Sequence, residues 1–444
     1  MKSNTNIIIQ HILWRGLYFF SVLLLNIEIS RLFAAEKSGQ IFYILNNLAF
    51  VILLISLCLE SGSSFFIASG KQDSVRLAAL CTIWALTASL AGVAGWASIL
   101  IFNNSSLINT PHFIPTSFIF ILGVLLTTYF TALFYAEKTF NLPNKILFFV
   151  NSALFLILMA GKNSPLIRTY FFLIYFSCFF LQGLLLFVFY LKSHSAFIHF
   201  HLPSFSILKK ILAYSLKALA ANAVYFLVNR LDYWLVKYFC SGNELGNYIQ
   251  ASKLAQMLFI LPGILGATLF PFFSSDKSPE QLTRLNSVIR ILLFVNIVVC
   301  AGIIGFGWYL FPVLFGNSFG LMYILFISLV PGILCVSMTY PLAAWFSGND
   351  RIAVNIRGSL LAVLVVVTGD FILLPKLGIR IASVVSSAGY CCYFLYTVSI
   401  YRREHFITWK DFFILRKTDI EEIRKSFRNI STQPDPHNAI TENL

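Results

Sequence analysis

The chain has 444 residues, of which 58% are hydrophobic and 11% are charged, and its formal net charge is +14. Soluble domains carry about 25% charged residues, so this composition excludes a soluble globular protein and indicates a polytopic membrane protein. Eight of the 32 Lys and Arg residues lie from Arg402 onward, and most others lie in short loops between apolar runs. Because this distribution reports topology and attraction to anionic lipid, we expect the bilayer and no nucleic acid as a partner.

The sequence predicts about twelve transmembrane helices. Each apolar run has about 20 residues or more, which is long enough to cross a hydrocarbon core of about 30 Å. The approximate extents are 12–34, 41–60, 76–102, 115–136, 144–161, 169–191, 211–238, 246–272, 287–315, 319–346, 353–374 and 379–401. The predicted fold is therefore all-α and polytopic.

The loops alternate in positive charge, and this alternation predicts the orientation of the chain. One set of loops holds only Lys37, Lys162, Arg168, Lys376 and Arg380, whereas the other set holds most of the remaining basic residues before the last span. Because positively charged loops stay on the cytoplasmic side, we predict that both termini are cytoplasmic.

A basic linker divides the spans into two halves. Residues 192–210 form the longest internal connection, so the predicted lobes are 1–191 and 211–401, with six helices each. Both halves contain an even number of spans and start on the same side, which predicts parallel repeats related by an axis along the membrane normal. A weak echo between S-G-Q-I-F-Y at 38–43 and L-G-N-Y-I-Q at 245–250 agrees with this relation.

The tail from 402 to 444 contains no further span. Aromatic and aliphatic residues recur there at helical spacing with Arg and Lys between them, which is typical of a basic amphipathic helix on the anionic inner leaflet. Beyond P-D-P at 434–436 we expect disorder.

Charged residues within the seventh and eighth spans are the strongest indication of a functional site. Lys217, Arg230 and Asp232 fall in the seventh span, and Lys253 lies about two turns into the eighth. A charge at the centre of a membrane helix costs about 2.5–3.5 kcal/mol on insertion scales, so such residues normally pair, face a cavity or bind a ligand. Arg230 and Asp232 are two residues apart and point in different directions, so we expect Arg230 to find its partner elsewhere.

Other intramembrane charges have simpler interpretations. Glu28 and Arg31 are three residues apart in the first span and can pair on one helix face, although Arg31 is also a candidate ligand contact. Asp232 and Glu28 are candidates for a coupling or a structural acid. Asp370 and Arg290 lie near span ends and are expected to be interfacial.

Enzymatic and metal-binding motifs are not found in the sequence. There is no G-x-x-x-x-G-K-[ST], no H-E-x-x-H and no large outer loop, and the eight cysteines form no C-x-x-C. We therefore predict that the protein is not an enzyme and has no metal site and no cofactor.

A series of short motifs resembles one family of membrane proteins. These are N-R-L-D at 229–232, L-G-N-Y-I-Q-A-S-K-L at 245–254, L-P-G-I-L-G-A-T-L-F-P at 261–271, L-F-G-N-S-F at 314–319 and L-L-P-K-L-G-I at 373–379. In order and spacing they resemble the polysaccharide-biosynthesis, or oligosaccharide flippase (Wzx-like), branch of the multidrug/oligosaccharidyl-lipid/polysaccharide (MOP) exporter superfamily. One departure is Arg380-Ile381-Ala382, where that family usually has a small residue followed by Gly-Ala-Ala.

The resemblance implies two six-helix lobes around a central cavity that opens alternately to either side of the inner membrane. The implied cargo is an undecaprenyl-diphosphate-linked oligosaccharide, an O-antigen or capsule repeat unit, moved from the inner to the outer leaflet. Arg31, Lys217, Arg230 and Lys253 are the expected contacts to the diphosphate. A polysaccharide polymerase and a chain-length protein are implied partners.

Three alternatives remain open at this stage. A cation-coupled multidrug exporter of the same superfamily should have a cavity in which acids dominate, and a peptidoglycan-precursor flippase should be essential for growth. A membrane glycan polymerase or ligase, from a different class, should carry a large outer loop with catalytic residues.

Overall fold

The structure is a computed structural model and describes residues 4–69, 73–102, 112–194, 203–275, 279–406, 408–416 and 419. Sixteen α-helices and one short 3-10 helix at Asn317–Phe319 form the described part, which contains no β-strand. The helices are α1 Asn4–Ser56, α2 Leu59–Ala68, α3 Ser74–Phe102, α4 Phe113–Ala136, α5 Asn141–Ala160, α6 Pro165–Thr169, α7 Phe171–Ser193, α8 Phe205–Arg230, α9 Asp232–Phe239, α10 Gly242–Leu258, α11 Ile260–Ser275, α12 Pro279–Phe315, α13 Met322–Gly348, α14 Ile352–Leu377, α15 Arg380–His405 and α16 Trp409–Phe413. The predicted all-α polytopic fold is confirmed.

Eleven helical stretches of the described chain are long and apolar enough to cross a membrane. The first of them, Leu13–Ser56, has 44 residues and covers most of the first two predicted spans. Ala34 interrupts its helical geometry with φ 56° and ψ 177°, a conformation that residues other than glycine rarely adopt. The kink explains how one continuous helical stretch replaces two of the twelve predicted spans.

The chain divides into two compact units, and the kink lies at a boundary between them. Unit 1 contains the residues up to Phe33 together with Tyr43–Ala223, and unit 2 contains Ala34–Phe42 together with the chain from Val224 onward. The linker predicted at 192–210 falls partly outside the described residues, and α8 already begins at Phe205. The division into a lobe at 1–191 and a lobe at 211–401 therefore remains a prediction.

Unit 1 is built around α4, which packs against α2, α3 and α7, while α5 also packs against α7. The helices α4 and α7 approach closely at a pair of glycines, because a β-carbon on Gly183 would lie 2.3 Å from the carbonyl oxygen of Gly123. The buried hydroxyl of Tyr129 donates a 2.9 Å hydrogen bond to the carbonyl oxygen of Ser56, where α1 ends. The hydroxyl thus provides a hydrogen bond to one carbonyl that has no partner within the helix.

Unit 2 is built around α13, which packs against α10, α11, α12 and α15, and α14 packs on α15. One apolar cluster of unit 2 joins α11, α12, α13 and α15, with Phe273, Ile289, Phe346 and Tyr401 among its fully buried members. These side chains come from helices that are far apart in sequence, so they hold one end of unit 2 together.

The segment 34–42 crosses the start of α10 at very short range. A β-carbon on Gly39 would lie 2.6 Å from the backbone nitrogen of Gly246, and one on Gly246 would lie 1.9 Å from the carbonyl oxygen of Ala35. Only glycine fits such a backbone-to-backbone approach. The two segments that echo each other in sequence therefore meet inside unit 2.

We predict that Gly246→Ala destabilises the protein by about 1–3 kcal/mol, because the new methyl group cannot be placed without moving backbone. The measurement is thermal unfolding of the purified protein in detergent. Gly302→Ala is the matched control, because a β-carbon at Gly302 meets nothing within 4 Å in the middle of α12. Equal melting temperatures of the two variants would contradict the close crossing.

Candidate functional site

Lys253 of α10 lies over an aromatic ring within unit 2. Its Nζ is 3.2 Å from the centroid of the Phe42 ring, and Phe42 itself is buried. An ammonium group on a ring face gains electrostatic attraction from the ring quadrupole. The contact holds the cation at a defined place among apolar helices, and it depends on the segment 34–42 being packed into unit 2.

The start of α10 is fixed by its own sequence. The Ser241 hydroxyl accepts a hydrogen bond from the backbone N–H of Glu244, whose carboxylate in turn accepts from the backbone N–H of Ser241 at 2.9 Å. This capping box is the one that S-G-N-E predicts. Further along, Asn247 donates to the carbonyl oxygen of Ser318 and accepts from the backbone N–H of Met322, both at 3.0 Å. These bonds position the helix that carries Lys253.

Arg230 is the last residue of α8 and lies near Lys253. Its guanidinium carbon is 5.4 Å from the ring centroid of Phe226, one turn earlier on the same helix. Within the described ranges, no carboxylate oxygen lies within 4 Å of the Arg230 side-chain nitrogens. The side chain is close enough to Lys253 for the two cations to repel each other. Two adjacent cations in an apolar bundle form a place where an anion is favoured.

Asp232, the first residue of α9, is held by hydroxyl groups. Tyr248 of α10 donates a short hydrogen bond to its Oδ2, and Ser386 of α15 donates to the same oxygen at 3.0 Å. The other oxygen, Oδ1, is buried and has no hydrogen-bond partner among the described residues. As the two-residue spacing predicts, Asp232 forms no ion pair with Arg230.

Asp370 of α14 is a second buried acid in the same unit. It is 0% exposed, and neither carboxylate oxygen has a hydrogen-bond partner in the part of the chain that the structure describes. Asp370 is close enough to Asp232 for electrostatic repulsion between the two carboxylates. Asp370 was expected to be interfacial, and its enclosure by protein was not predicted. The sequence feature that could have indicated it is a single acid within the apolar run V-V-V-T-G-D-F-I-L-L-P at 365–375.

The remaining candidates lie in unit 1. The side chains of Arg31 and Lys217 are exposed there, and Glu28 is 9% exposed. Glu28 and Arg31, both described, do not form the ion pair that their spacing allows, because no N–O distance between them is within 4 Å. The structure thus brings Arg230 and Lys253 together in unit 2, and it gives no contact between Arg31 and Lys217.

One polar cluster of unit 1 was not anticipated. The fully buried Asn144 accepts hydrogen bonds from the hydroxyl of Tyr135 at 2.6 Å and from Arg15 Nη1 at 3.4 Å. The Arg15 guanidinium also lies over the ring of Phe19, at 4.9 Å from its centroid. Arg15 belongs to the first apolar run. Because it lies close to the N-terminus, it was interpreted only as an indicator of membrane topology.

Metal binding has no support within the described ranges, where no group of three or more His, Cys, Asp and Glu side chains is arranged to hold an ion. The site therefore consists of two neighbouring cations, one hydroxyl-bound acid and one acid without hydrogen bonds, all in unit 2. Such an arrangement can bind an anion at the cations and a proton or a cation at the acids.

Several proteins of known structure resemble this chain. Three solved structures share the fold, each at about 15% sequence identity. The lipid II flippase MurJ in an inward closed conformation has a TM-score of 0.66 and 14% identity, with 96% of this chain and 94% of that chain covered. An inward-facing multidrug resistance MATE family transporter of the MOP superfamily has a TM-score of 0.65 and 16% identity, with 88% and 94% covered.

The third structure is a MOP superfamily transporter from Pyrococcus furiosus, described as having a binding pocket of reverse polarity that suggests a different function. It has a TM-score of 0.65 and 14% identity, with 90% of this chain and 95% of that chain covered. The molecule is thus a polytopic helical membrane protein with the fold of MOP superfamily transporters. No curated protein matches the sequence significantly.

The model of the polysaccharide biosynthesis protein family matches residues 47–323, which is more than half of the chain. The protein therefore belongs to the polysaccharide biosynthesis protein family, and the resemblance seen in the sequence motifs is confirmed.

We predict that Tyr248→Phe lowers the free energy of unfolding by about 1–3 kcal/mol, because Asp232 loses a buried donor. Thermal unfolding in detergent measures the effect. Tyr238→Phe is the matched control, since Tyr238 is 81% exposed. Unfolding of both variants at the wild-type temperature would show that the hydroxyl of Tyr248 does not stabilise Asp232.

Proposed function

We propose that this protein is a flippase that moves an undecaprenyl-diphosphate-linked oligosaccharide, an O-antigen or capsule repeat unit, from the inner to the outer leaflet of the cytoplasmic membrane by alternating access. Membership of the polysaccharide biosynthesis protein family supports the substrate class. The observation that carries the proposal is Arg230, which has no carboxylate within 4 Å in the described chain and is close enough to Lys253 for the two charges to repel each other.

A diphosphate is the ligand chemistry that suits this pair. Guanidinium and ammonium groups bind phosphate oxygens through charge-assisted hydrogen bonds, which are about twice as strong as neutral ones. Once the headgroup is bound, the repulsion between Arg230 and Lys253 is relieved. Arg31 and Lys217, whose side chains are exposed in unit 1, are also proposed as substrate contacts.

Translocation requires no covalent step, so no catalytic residue is proposed. Both termini are proposed to lie in the cytoplasm, and a polysaccharide polymerase and a chain-length protein are the proposed partners downstream of the flipped product.

A multidrug exporter is the second candidate, because the MATE transporter shares the fold and the described part of unit 2 contains two buried acids, Asp232 and Asp370, that form no ion pair. A cationic drug would be attracted by Asp232 and Asp370, but it would be repelled by Arg230 and Lys253. Drug sensitivity of a deletion strain with intact surface polysaccharide would favour the exporter. Loss of surface polysaccharide with unchanged drug sensitivity would favour the flippase.

We assign the two acids to energy coupling. Two neighbouring buried carboxylates cannot both stay ionised without compensation, so they favour uptake of a proton or a monovalent cation. Among the described residues, Asp232 Oδ1 and both oxygens of Asp370 have no hydrogen-bond partner, so they are available as acceptors. Loading and release of this ion would bias unit 2 between two conformations.

We predict that Arg230→Ala and Lys253→Ala each reduce flipping at least tenfold, because losing a charge-assisted contact of about 1.5–3 kcal/mol corresponds to that factor. The measurement is export of surface polysaccharide in a complemented deletion strain, with membrane levels of each variant checked by immunoblot.

Two further variants serve as controls for this experiment. Lys237→Ala removes an exposed cation from the neighbouring helix α9 and should leave export unchanged. Arg230→Lys keeps the charge and should retain part of the activity. Wild-type export by both alanine variants would exclude the cation pair as a headgroup site.

We predict that Asp370→Asn abolishes the response of flipping to an imposed ion gradient, because the amide has the same shape but cannot bind a proton or a cation as a carboxylate does. Flipping is measured in proteoliposomes with a sodium gradient, with a proton gradient and with neither. Asp350→Asn, an exposed acid, should keep the wild-type response. Full gradient response in Asp370→Asn would show that Asp370 is a structural residue only.

A further inference from the structure

The chain folds back onto unit 2 after its last span. Helix α15 ends at His405, and α16 starts at Trp409, with three residues between them. We name the described residues 408–416 and 419 the C-terminal strap. The predicted amphipathic residues beyond it, from Ile420 to Phe427, and the tail end after 434–436 lie outside the described residues.

One face of the strap is anchored in the protein by apolar packing. Phe412 is 0% exposed and belongs to the apolar cluster of unit 2. Its ring centroid is 6.0 Å from that of Tyr401 and 6.3 Å from that of Phe394, both on α15. The sequence predicted a helix that lies on the lipid surface. In the structure, one face of the strap packs on the protein instead.

A buried ion pair anchors the same face to α12. Arg290 donates from Nε to Asp419 Oδ2 at 2.7 Å and from Nη2 to Oδ1 at 2.6 Å, and both side chains are at most 3% exposed. Asp419 also accepts from the hydroxyl of Ser287 at 2.6 Å and from the backbone N–H of Arg416 at 2.8 Å. This enclosed bidentate pair was not anticipated, because Arg290 was expected to be interfacial.

The neighbours of Asp419 favour its ionised form. Burial alone would raise the pKa of Asp419, but hydrogen bonds from Arg290 and Ser287 outweigh burial and bring this pKa to about 2. A lowered pKa contributes stability above the unfolded-state value of 3.8, and that stability is lost as the pH falls through about 2. The anchor is therefore constant at neutral and mildly acidic pH.

The other face of the strap and Phe406, the residue that follows α15, present apolar side chains that the described part of the chain leaves exposed. Phe406 is 91% exposed, Trp409 40%, Phe413 41% and Ile414 58%. Trp409 and Phe413 stack with ring centroids 5.7 Å apart, so they form one apolar surface.

Positive charge accompanies this surface. The guanidinium carbon of Arg402 lies 3.9 Å from the ring centroid of Trp409, and the side chains of Arg403 and Arg416 are exposed. Apolar and aromatic residues flanked by arginines match the interface of an anionic membrane, where rings enter the headgroup region and arginines bind lipid phosphates.

The depth of the strap fits the same partner. Helix α15 has 26 residues and is roughly 39 Å long, whereas the hydrocarbon core is about 30 Å thick. We therefore expect a segment that starts three residues after such a helix to lie at the level of the headgroups. An apolar surface at this level meets lipid before it meets any soluble partner.

We propose that the C-terminal strap is a two-faced element that ties unit 2 to anionic phospholipid. Phe412 and Asp419 attach it to α15 and α12, while Phe406, Trp409, Phe413 and Ile414 insert into the membrane interface, with Arg402 and Arg403 binding lipid phosphates. The bilayer surface thereby holds the end of the helix cluster of unit 2 at a defined depth.

The lipid-facing side is tested with a polarity-sensitive fluorophore on Ile414→Cys, in a full-length chain whose eight cysteines have been replaced. The protein is reconstituted into phosphatidylcholine vesicles with or without 30% phosphatidylglycerol, each with or without brominated acyl chains. Asp350→Cys is the matched control, because Asp350 is exposed and its neighbour Arg351 pairs with Glu404, two residues before Phe406.

We expect brominated lipid to quench the probe at 414 at least twofold more than the probe at 350 in anionic vesicles, and high salt to reduce this difference. Equal quenching at both positions would overturn the proposal. A blue-shifted probe that brominated lipid does not quench would show that protein covers the surface instead. Quenching that ignores lipid charge and salt would refute the anionic partner.

The protein-facing side is tested by trypsin cleavage at Arg416 in the same vesicles. Asp419→Ala leaves Arg290 buried without its partner, so we expect cleavage at least tenfold faster than in the wild type. The double variant Arg290→Met/Asp419→Met replaces the pair by apolar side chains, which buried sites tolerate, and should regain most of the protection. Unchanged cleavage in Asp419→Ala would show that the ion pair does not hold the strap.

Discussion

A charge enclosed by apolar helices has to be compensated by a neighbour or by a ligand, and unit 2 contains both cases. The Arg290–Asp419 pair is compensated completely, with every carboxylate oxygen bonded and both side chains enclosed. In the part of the chain that the structure describes, Asp232 is hydrogen-bonded on one oxygen, and Asp370 is hydrogen-bonded on neither. The Arg290–Asp419 pair therefore has a structural role, whereas Asp232 and Asp370 can still bind an ion through their unbonded oxygens.

The same distinction applies to the cations. Arg290 is satisfied within the protein, whereas Arg230 lies over the ring of Phe226 and, within the described ranges, has no carboxylate oxygen within 4 Å of its side-chain nitrogens. The charge of Arg230, which is partly exposed, is repelled by that of Lys253, so the folded state keeps the two cations at a free-energy cost. A function that places a phosphate there recovers this cost at every transport cycle.

Much of the fold could be predicted from the sequence, because hydrophobic length alone identifies membrane helices. Single-residue features were not predictable in this way. The kink at Ala34 and the transfer of residues 34–42 into unit 2 depend on the close crossing of Gly39 and Gly246, which are about 200 positions apart. A window of local sequence contains no information about such a long-range contact.

The residues of the candidate site could be predicted from the sequence where they lie deep within a span. Arg230, Asp232 and Lys253 stand out in their apolar runs for this reason. The burial of Asp370 and Arg290 by protein was not predictable, because nearness to a span end says nothing about which neighbours cover a side chain. Helix α12 has 37 residues and extends roughly 55 Å, so Arg290 lies on a stretch beside which the strap can pack.

The close crossing of Gly39 and Gly246 also bears on how the molecule is made. Residues 34–42 leave the ribosome early, but their packing surface on α10 is translated about 200 residues later, which takes roughly 10–40 s at ordinary elongation rates. During this interval the first helix is inserted without its permanent neighbour. Unit 2 therefore cannot complete its assembly while the chain is emerging in order, and the nascent protein depends on surrounding lipid or an insertion factor until its second half arrives.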